Sequence, residues 1–366
     1  MKPELNIQPI DTWMPDPQKP VIIAGPCSAE NADQVMTTAR GIARLGKVKI
    51  FRAGIWKPRT RPNSFEGVGE EGLKWLKDVK EETGMLLTTE VANAEHVELC
   101  LKYGIDILWV GARTTVNPFS VQNIADALKG VDVPVMVKNP INPDLQLWIG
   151  ALERIHGAGI TKLAAIHRGF SPFEKTPFRN VPKWELAIEM RRTLPNLPMI
   201  CDPSHIAGSR ELLSYVCQKA MDLDMTGLMI ETHIQPRAAL SDAEQQVTPE
   251  DLGKLLSSIT VRKSSNESIE FRSKLDQLRA EIDKLDDDLL HVLSTRMKVA
   301  EKIGEYKRDN EVTILQLNRW EEIMNKRMEI GQALGLSPDF TKQMYQMIHK
   351  ESIRKQEEIM NTAVKA

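Results

Sequence analysis

From Val21 to about Thr232 the chain repeats one unit: a short apolar run, a loop, then a stretch with helical spacing. The apolar runs are Val21–Ala24, Ile50–Ile55, Met85–Val91, Ile107–Ala112, Pro134–Val137, Leu163–Ile166, Met199–Cys201 and Leu228–Ile230. Buried parallel strands read as unbroken apolar runs because both faces are covered. Helical patterns lie between them at Ala32–Leu45, Glu70–Glu82, Glu95–Tyr103, Val121–Leu128, Leu147–His156, Pro182–Arg192 and Ser209–Lys219. Thr248-Pro249-Glu250 then starts another, running to Ile259. Eight strands alternating with eight helices over ~240 residues predict a (β/α)8 TIM barrel spanning residues 1–260. A doubly wound open sheet is the competing architecture, but eight repeats close a cylinder.

The grammar changes after that. Residues 261–268 are polar, contain Ser264-Ser265-Asn266 and read as a linker. No strand-like run follows, so residues 269–366 are expected to be all-α. Leu275, Leu278, Ile282, Leu285, Leu289, Val292, Val299 and Ile303 recur at intervals of three and four. The helix they predict, about Ile269 to Arg308, would be roughly 60 Å long. One small domain cannot cover such a rod, so pairing with another chain is expected. Two more helical patterns, Asn318–Leu334 and Pro338–Met360, are separated by Gly335-Leu336-Ser337-Pro338. Periodicity alone also allows a plain coiled-coil dimerisation tail.

Composition narrows the partners. The 366 residues are 42% apolar and 27% charged, with a formal net charge of -2. That balance argues against nucleic acid or an anionic membrane as partner. Met1–Ile10 lacks a basic-then-apolar signal pattern, and no apolar run reaches membrane-spanning length. A cytoplasmic protein is expected. Cys27, Cys100, Cys201 and Cys217 are too sparse for a disulfide framework, so reduced thiols are expected.

Barrels of this kind do their chemistry at the C-terminal strand ends, and polar residues collect there. Gly25-Pro26-Cys27-Ser28 follows the first run, and Arg52 sits in the second with Lys57 and Arg59 after it. Glu90 ends the third, Gly111-Ala112-Arg113 the fourth, and Lys138-Asn139-Pro140 follows the fifth. His167-Arg168-Gly169 follows the sixth, Asp202-Pro203-Ser204-His205 the seventh, and Glu231 ends the eighth with Asp242 eleven residues on. Cys27, His205, Glu231 and Asp242 offer a divalent metal one soft and three harder ligands. Such a set suits Mn, Fe, Co or Zn better than Mg or Ca. Arg52, Lys57, Arg59, Arg113, Lys138 and Arg168 would repel one another unless anions neutralised them. Phosphates and carboxylates are the natural partners.

Together these motifs, with Phe51-Arg52-Ala53-Gly54-Ile55-Trp56-Lys57-Pro58-Arg59-Thr60, Gly111-Ala112-Arg113-Thr114-Thr115 and Leu240-Ser241-Asp242, resemble 3-deoxy-D-arabino-heptulosonate 7-phosphate (DAHP) synthase. The ordered set covers about residues 20–260. The resemblance implies a barrel condensing phosphoenolpyruvate with erythrose 4-phosphate, with one divalent metal held by Cys27, His205, Glu231 and Asp242. Arg52, Lys57, Arg113, Lys138 and Arg168, with Gly111 and Ala112, match positions that hold phosphoenolpyruvate. Arg59 and Thr60 match the erythrose phosphate end. The metal would polarise the aldehyde so that C3 of phosphoenolpyruvate attacks it. Water then adds at C2 and phosphate leaves, with Glu90 or a metal-bound hydroxide as the activating base. The octulosonate 8-phosphate synthase is similar in fold and in the Gly-Pro-Cys turn, but Lys57-Pro58-Arg59-Thr60 and Asp202-Pro203-Ser204-His205 look like the heptulosonate enzyme. Members often carry an N-terminal regulatory extension. Only about 20 residues precede the first strand here, so control is expected from elsewhere.

In the tail, Arg296 and Lys307 are eleven residues apart, which puts them within about 20° of one another on a helix. Arg279 lies seventeen residues before Arg296, about 25 Å away; it cannot join them within one helix but could reach a site in a partner chain. Ser352 and Gln356 form an i,i+4 pair. Arg279, Arg296, Lys307, Arg319, Ser352 and Gln356 resemble, in spacing, the substrate-contacting set of the all-helical AroQ-type chorismate mutases. That resemblance covers about residues 270–360 and implies an interlocked three-helix homodimer, possible higher oligomers aside, that rearranges chorismate to prephenate. Arg279 and Arg296 would clamp carboxylates, while Lys307 and Gln356 would bond the ether oxygen as its charge grows. Two positions depart from that family. A Glu common after the matching Arg is Trp320 here, and an Asp common three positions before it is Gln316, which bears on recognition of the substrate hydroxyl. A chorismate- or prephenate-sensing dimerisation module is the alternative reading. Chorismate or prephenate bound in the tail and inhibiting the barrel would supply feedback control.

Overall fold

The computed structural model describes residues 4–14, 19–57, 64–262, 268–315 and 317–362. Arg59, Thr60 and Gln316 lie outside these described residues. The chain divides into two compact units, Met1–Ser264 and Ser265–Ala366.

The first unit is a closed barrel of eight parallel strands in chain order, with β8 pairing back onto β1. Its first half runs β1 Val21–Gly25, α1 Ala32–Ala43, β2 Ile50–Arg52, α2 Glu70–Thr83, β3 Leu86–Val91, α3 Ala94–Lys102, β4 Ile107–Val110, α4 Ala112–Thr115 and α5 Pro118–Ala127. The second half runs β5 Val135–Lys138, α6 Leu145–Gly157, β6 Leu163–His167, α7 Trp184–Thr193, β7 Met199–Cys201, α8 Pro203–Ala207, α9 Arg210–Asp222, β8 Gly227–Glu231 and α10 Pro249–Ser258. Helix starts are locally encoded. Asn31, Asn93, Asn117, Asp144, Asp202 and Thr248 each accept a backbone N–H of the first turn they precede.

Side chains alternate across the strands. On β1, Ile22 and Ala24 pack outward against the helices, while Val21 and Ile23 point into the barrel. The interior is filled by Ile23, Ile50, Ile107, Trp109, Met136, Ile166, Ile200 and Met229. Each such fully buried aliphatic contributes roughly 1.5–3 kcal/mol. Ile10 and Met14, from the segment before β1, join the residues at the strand starts and cover that end. The C-terminal strand ends are left for chemistry.

The second apolar run breaks earlier than its pattern suggests. β2 stops at Arg52; Ala53 still donates to the Thr88 carbonyl of β3 at 3.3 Å, but Gly54 donates its N–H to the carbonyl of Cys27 at 3.1 Å and so serves the loop after β1. The fourth run stops at Val110, because Gly111 becomes the cap of α4.

Among its described residues the second unit has three helices: α11 Ile269–Asp309, α12 Leu317–Ala333 and α13 Pro338–Thr362. Gly304 lets α11 and α13 approach closely; a Cβ there would stand 3.1 Å from Cα of Gln356. The apolar stripe of α11 is left uncovered within the unit. Ile282, Leu285, Leu289 and Val292 are each at least half exposed. No helix among the described residues is long and apolar enough to cross a membrane.

Candidate active sites

The barrel site begins with a glycine. Gly25 ends β1 at φ +149°, and a Cβ would stand 2.0 Å from the Arg52 carbonyl oxygen, so only glycine turns the chain here. Beyond that turn, the Cys27 N–H donates to Gln246 Oε1 at 3.0 Å. Glu231 ends β8 directly opposite Gly25 in the parallel ladder. Asp242 lies in the loop after β8 with φ +52°.

Ligand atoms of Cys27, Glu231 and Asp242 all lie within 4.8 Å of one another. Cys27 Sγ is 3.4 Å from Asp242 Oδ2. His205 completes the ring less tightly, its Nε2 lying 3.8 Å from both Glu231 Oε1 and Asp242 Oδ2. Asp202 aims that imidazole: as the α8 cap it accepts the His205 N–H at 3.1 Å and sits 2.9 Å from Nδ1. A carboxylate on the far nitrogen is the usual way a metal-binding histidine is held.

The donor set fits a divalent cation. Glu231 Oε1 is buried and accepts no hydrogen bond from the described residues, although Arg52 Nη2 stands 3.3 Å away. Burial, followed by Glu231, pushes the Cys27 thiol up to about 12 against the pull of Lys57, whose Nζ is 3.0 Å from Sγ. A thiol so placed keeps its proton until a bound cation displaces it. Burial works against the Asp242 charge, but His205, Arg179 and Lys57 outweigh it and hold the carboxyl well below the usual range.

The cations gather beside this cluster. A cavity of about 340 Å³ is lined by Lys57, Glu90, Ala112, Arg113, Lys138 and Arg168, together with His205, Asp242 and residues of the loop after β6. Arg52 is buried against Glu231 and over the Trp109 ring, and its Nε and Nη1 have no hydrogen-bond partner among the described residues. Lys138 shares that ring, at 5.7 Å, and donates to Asp202 at 2.7 Å. Trp109 in turn donates its Nε1–H to Glu90 at 3.0 Å. Burial, partly offset by Asp202, and the crowding cations Arg179 and Arg113 push the Arg168 guanidinium down to about 10. Unsatisfied buried N–H groups and mutual repulsion both call for an anion.

The helical unit holds a second polar cluster. Arg296 Nη1 donates to Ser352 Oγ at 2.5 Å, and both Ser352 and Gln356 are buried. Gln356 Nε2 donates to the Ser352 carbonyl, whereas its Oε1 is buried without a partner among the described residues. Lys307 donates to the carbonyl of Ile314. Arg319 is instead exposed and paired with Glu322 at 2.6 Å, and Arg279 is exposed beside Asp276 at 3.5 Å. These two are not gathered with Arg296.

A sequence model described as the DAHP synthetase I family matches residues 9–265, more than half of the chain. The chain belongs to the DAHP synthetase I family. A second model, chorismate mutase type II, matches residues 278–357. The phospho-2-dehydro-3-deoxyheptonate aldolase of Thermotoga maritima is 35% identical over 226 residues, 62% of this chain. The chain spans 64% of the length of that relative. The 2-dehydro-3-deoxyphosphooctonate aldolase of Geotalea daltonii is 27% identical over 257 residues, covering 64% of this chain and 89% of its own length. A crystal structure of the T. maritima DAHP synthase superposes with a TM-score of 0.58 at 32% identity, covering 65% of this chain and 67% of that one.

Against this DAHP synthetase I barrel, sequence reasoning missed several residues that shape the site. Arg179 reaches Asp242 Oδ1 at 3.0 Å, and Asn180 accepts from Arg168 at 2.7 Å. Gln245 holds Glu231 Oε2 at 2.7 Å. The long polar loop between β6 and α7 carried the signal for the first two, since loops after barrel strands build the site. Asp202 was visible in its motif, but not its double grip on His205 and Lys138.

Proposed function

We propose that residues 1–260 form a metal-dependent DAHP synthase barrel, joined through 261–268 to a chorismate mutase domain over 269–366. The observation that carries the first half is the cluster of Cys27, Glu231 and Asp242 donor atoms within 4.8 Å, flanked by His205 and a cation-lined cavity. Cys27, His205, Glu231 and Asp242 would hold one divalent ion, of Mn, Fe, Co or Zn type given the thiolate. Bound there, it supplies Lewis acidity toward an aldehyde.

The chain's own residues supply the rest. Arg52, Lys138, Arg113 and Arg168 bind the phosphate and carboxylate of phosphoenolpyruvate, satisfying the bare N–H groups of Arg52. Fixed cations lower the cost of bringing a second anion, erythrose 4-phosphate, into the same cavity and align the reacting carbons. Glu90, held by Trp109, would accept a proton from water adding at C2, the alternative base being a hydroxide on the bound cation. C–C bond formation at C3 is followed by C–O cleavage, releasing phosphate.

In the helical domain, Arg296 with Ser352, Lys307 and Gln356 would receive dianionic chorismate and stabilise the ether oxygen during rearrangement to prephenate. The exposed stripe of α11 supports a homodimer, in which Arg279 serves the neighbouring site. Chorismate or prephenate bound there would inhibit the barrel through differential affinity for two states.

Turnover of phosphoenolpyruvate with erythrose 4-phosphate and with arabinose 5-phosphate, measured as phosphate release, tests the barrel reading. Preference for the five-carbon sugar would overturn it. Deleting residues 261–366 should abolish end-product inhibition, and an unaltered response would reject the regulatory role.

A further inference from the structure

On α13, His349, Ser352 and Gln356 are three and seven residues apart and share one face within about 60°. That face looks toward α11, because Arg296 reaches Ser352 and Gly304 lies against Gln356. Trp320 of α12 stacks on the His349 ring, with centroids 4.0 Å apart and planes 21° off parallel. Such a stack fixes the plane of the imidazole and uses neither nitrogen. No described residue hydrogen-bonds either one. Burial first, then the charges of Arg296 and Lys307, push the His349 pKa down and favour the neutral ring. About two turns along the same face, Gln356 Oε1, an acceptor, is buried with no hydrogen-bond partner among the described residues.

We propose that His349, held by Trp320, contacts ligand in the helical site, its neutral imidazole hydrogen-bonding the ring hydroxyl of a cyclic dianion such as chorismate or prephenate. The inference rests on the reading of the helical unit given above. The chemistry divides the ligand among its partners. Carboxylates go to guanidinium groups, and the ether oxygen, which only accepts, goes to N–H donors of Lys307 and Gln356 Nε2, which leaves a neutral hydroxyl that both donates and accepts. A neutral imidazole presents one donor and one acceptor and matches it. Trp320 is a positioning residue: it acts through the ring it holds.

The test uses the full chain, with kcat and KM measured for chorismate and for its analogue lacking the ring hydroxyl. Prephenate and its deoxy counterpart are titrated by calorimetry in parallel. His349→Ala should lower kcat/KM for chorismate roughly 10- to 100-fold and leave the analogue nearly unchanged, erasing the preference of the intact chain for the hydroxyl. His349→Asn, which keeps a donor and an acceptor, should recover part of the loss. Trp320→Ala should raise KM more than it lowers kcat, and Trp320→Phe should restore both. Equal losses on both ligands, or none on chorismate, would overturn the proposal. If the intact chain lacks mutase turnover, the mutase assignment falls, and the prephenate titration decides on its own: hydroxyl-dependent affinity lost in His349→Ala supports the contact, and unchanged affinity overturns it. Absence of binding by the intact chain would sink the helical-site reading and this inference together.

Discussion

Lys57 Nζ donates to Cys27 Sγ at 3.0 Å across thirty residues of sequence. Burial, then the Glu231 and Asp242 carboxylates, oppose ionisation of the thiol, while Lys57 and, less strongly, Arg52 favour it. Lys57 also lines the cavity, so one ammonium faces both the candidate ligand cluster and the substrate space. Replacing it with Met should lower the kcat of condensation roughly 10²-fold while metal content per chain, read by elemental analysis, stays unchanged. Loss of metal with preserved kcat in excess metal would contradict that division of labour.

Gly111 stands against Glu90: a Cβ at this position would lie 2.0 Å from Glu90 Oε1. Glu90 cannot simply swing aside without giving up its bond from Trp109. Gly111→Ala should therefore displace the carboxylate and cut condensation roughly 10-fold or more, with a modest change in melting temperature. Unimpaired turnover would mean that Glu90 need not sit where it does.

His167 titrates in the wrong direction for an acid-tolerant barrel. Its ring is enclosed by Trp148, Phe170 and Trp184. Burial pushes its pKa down to about 4, offset only in part by the Pro182 backbone. The folded value lies below the unfolded one, near 6.5, so the unfolded chain binds the extra proton. Its contribution is present above pH ~6.5 and is lost as pH falls toward about 4, on the order of 3 kcal/mol in all. The barrel's urea midpoint should fall between pH 7 and pH 5, and His167→Phe should flatten that fall. An equal fall in the variant would assign the acid sensitivity elsewhere.

Arg279 sits on α11 away from Arg296 and is exposed, paired only loosely with Asp276. If it completes the site of a partner, Arg279→Ala and Lys307→Ala chains should each lack mutase turnover alone. Mixing and re-pairing them should restore roughly a quarter of the activity, since one site in each mixed dimer is whole. No recovery, in dimers shown by mass to be mixed, would exclude a shared site.

Much of this was readable in the chain because barrel strands are short, apolar and evenly spaced, so the eight-fold repeat and its strand-end polar residues stand out. Cys27, Glu231 and Asp242 could be grouped by that logic, and their donor atoms do lie together. What escaped was geometry made by loops. Gly54 looks like strand, yet its N–H and carbonyl bond the backbone of Cys27 and Ala29 in the loop after β1. The short helices α4 and α8, of four and five residues, are too brief for any periodicity to show, although they carry Arg113 and His205. Arg179 is one cation among many in sequence, and only the fold brings it to Asp242. Conversely, Arg319 fits a spacing pattern but is turned to Glu322 at the surface. Spacing along a helix fixes which side a residue occupies, not which partner wins its side chain.

The claim on which the barrel chemistry depends is that four side chains hold a cation needed for condensation but not for rearrangement. The direct measurement follows both reactions on one preparation of the intact chain, before and after dialysis against a strong chelator. The account predicts that phosphate release from phosphoenolpyruvate and erythrose 4-phosphate stops, returns when Mn, Fe, Co or Zn is added back, and that chorismate turnover continues throughout. Condensation that persists in metal-free protein would contradict it.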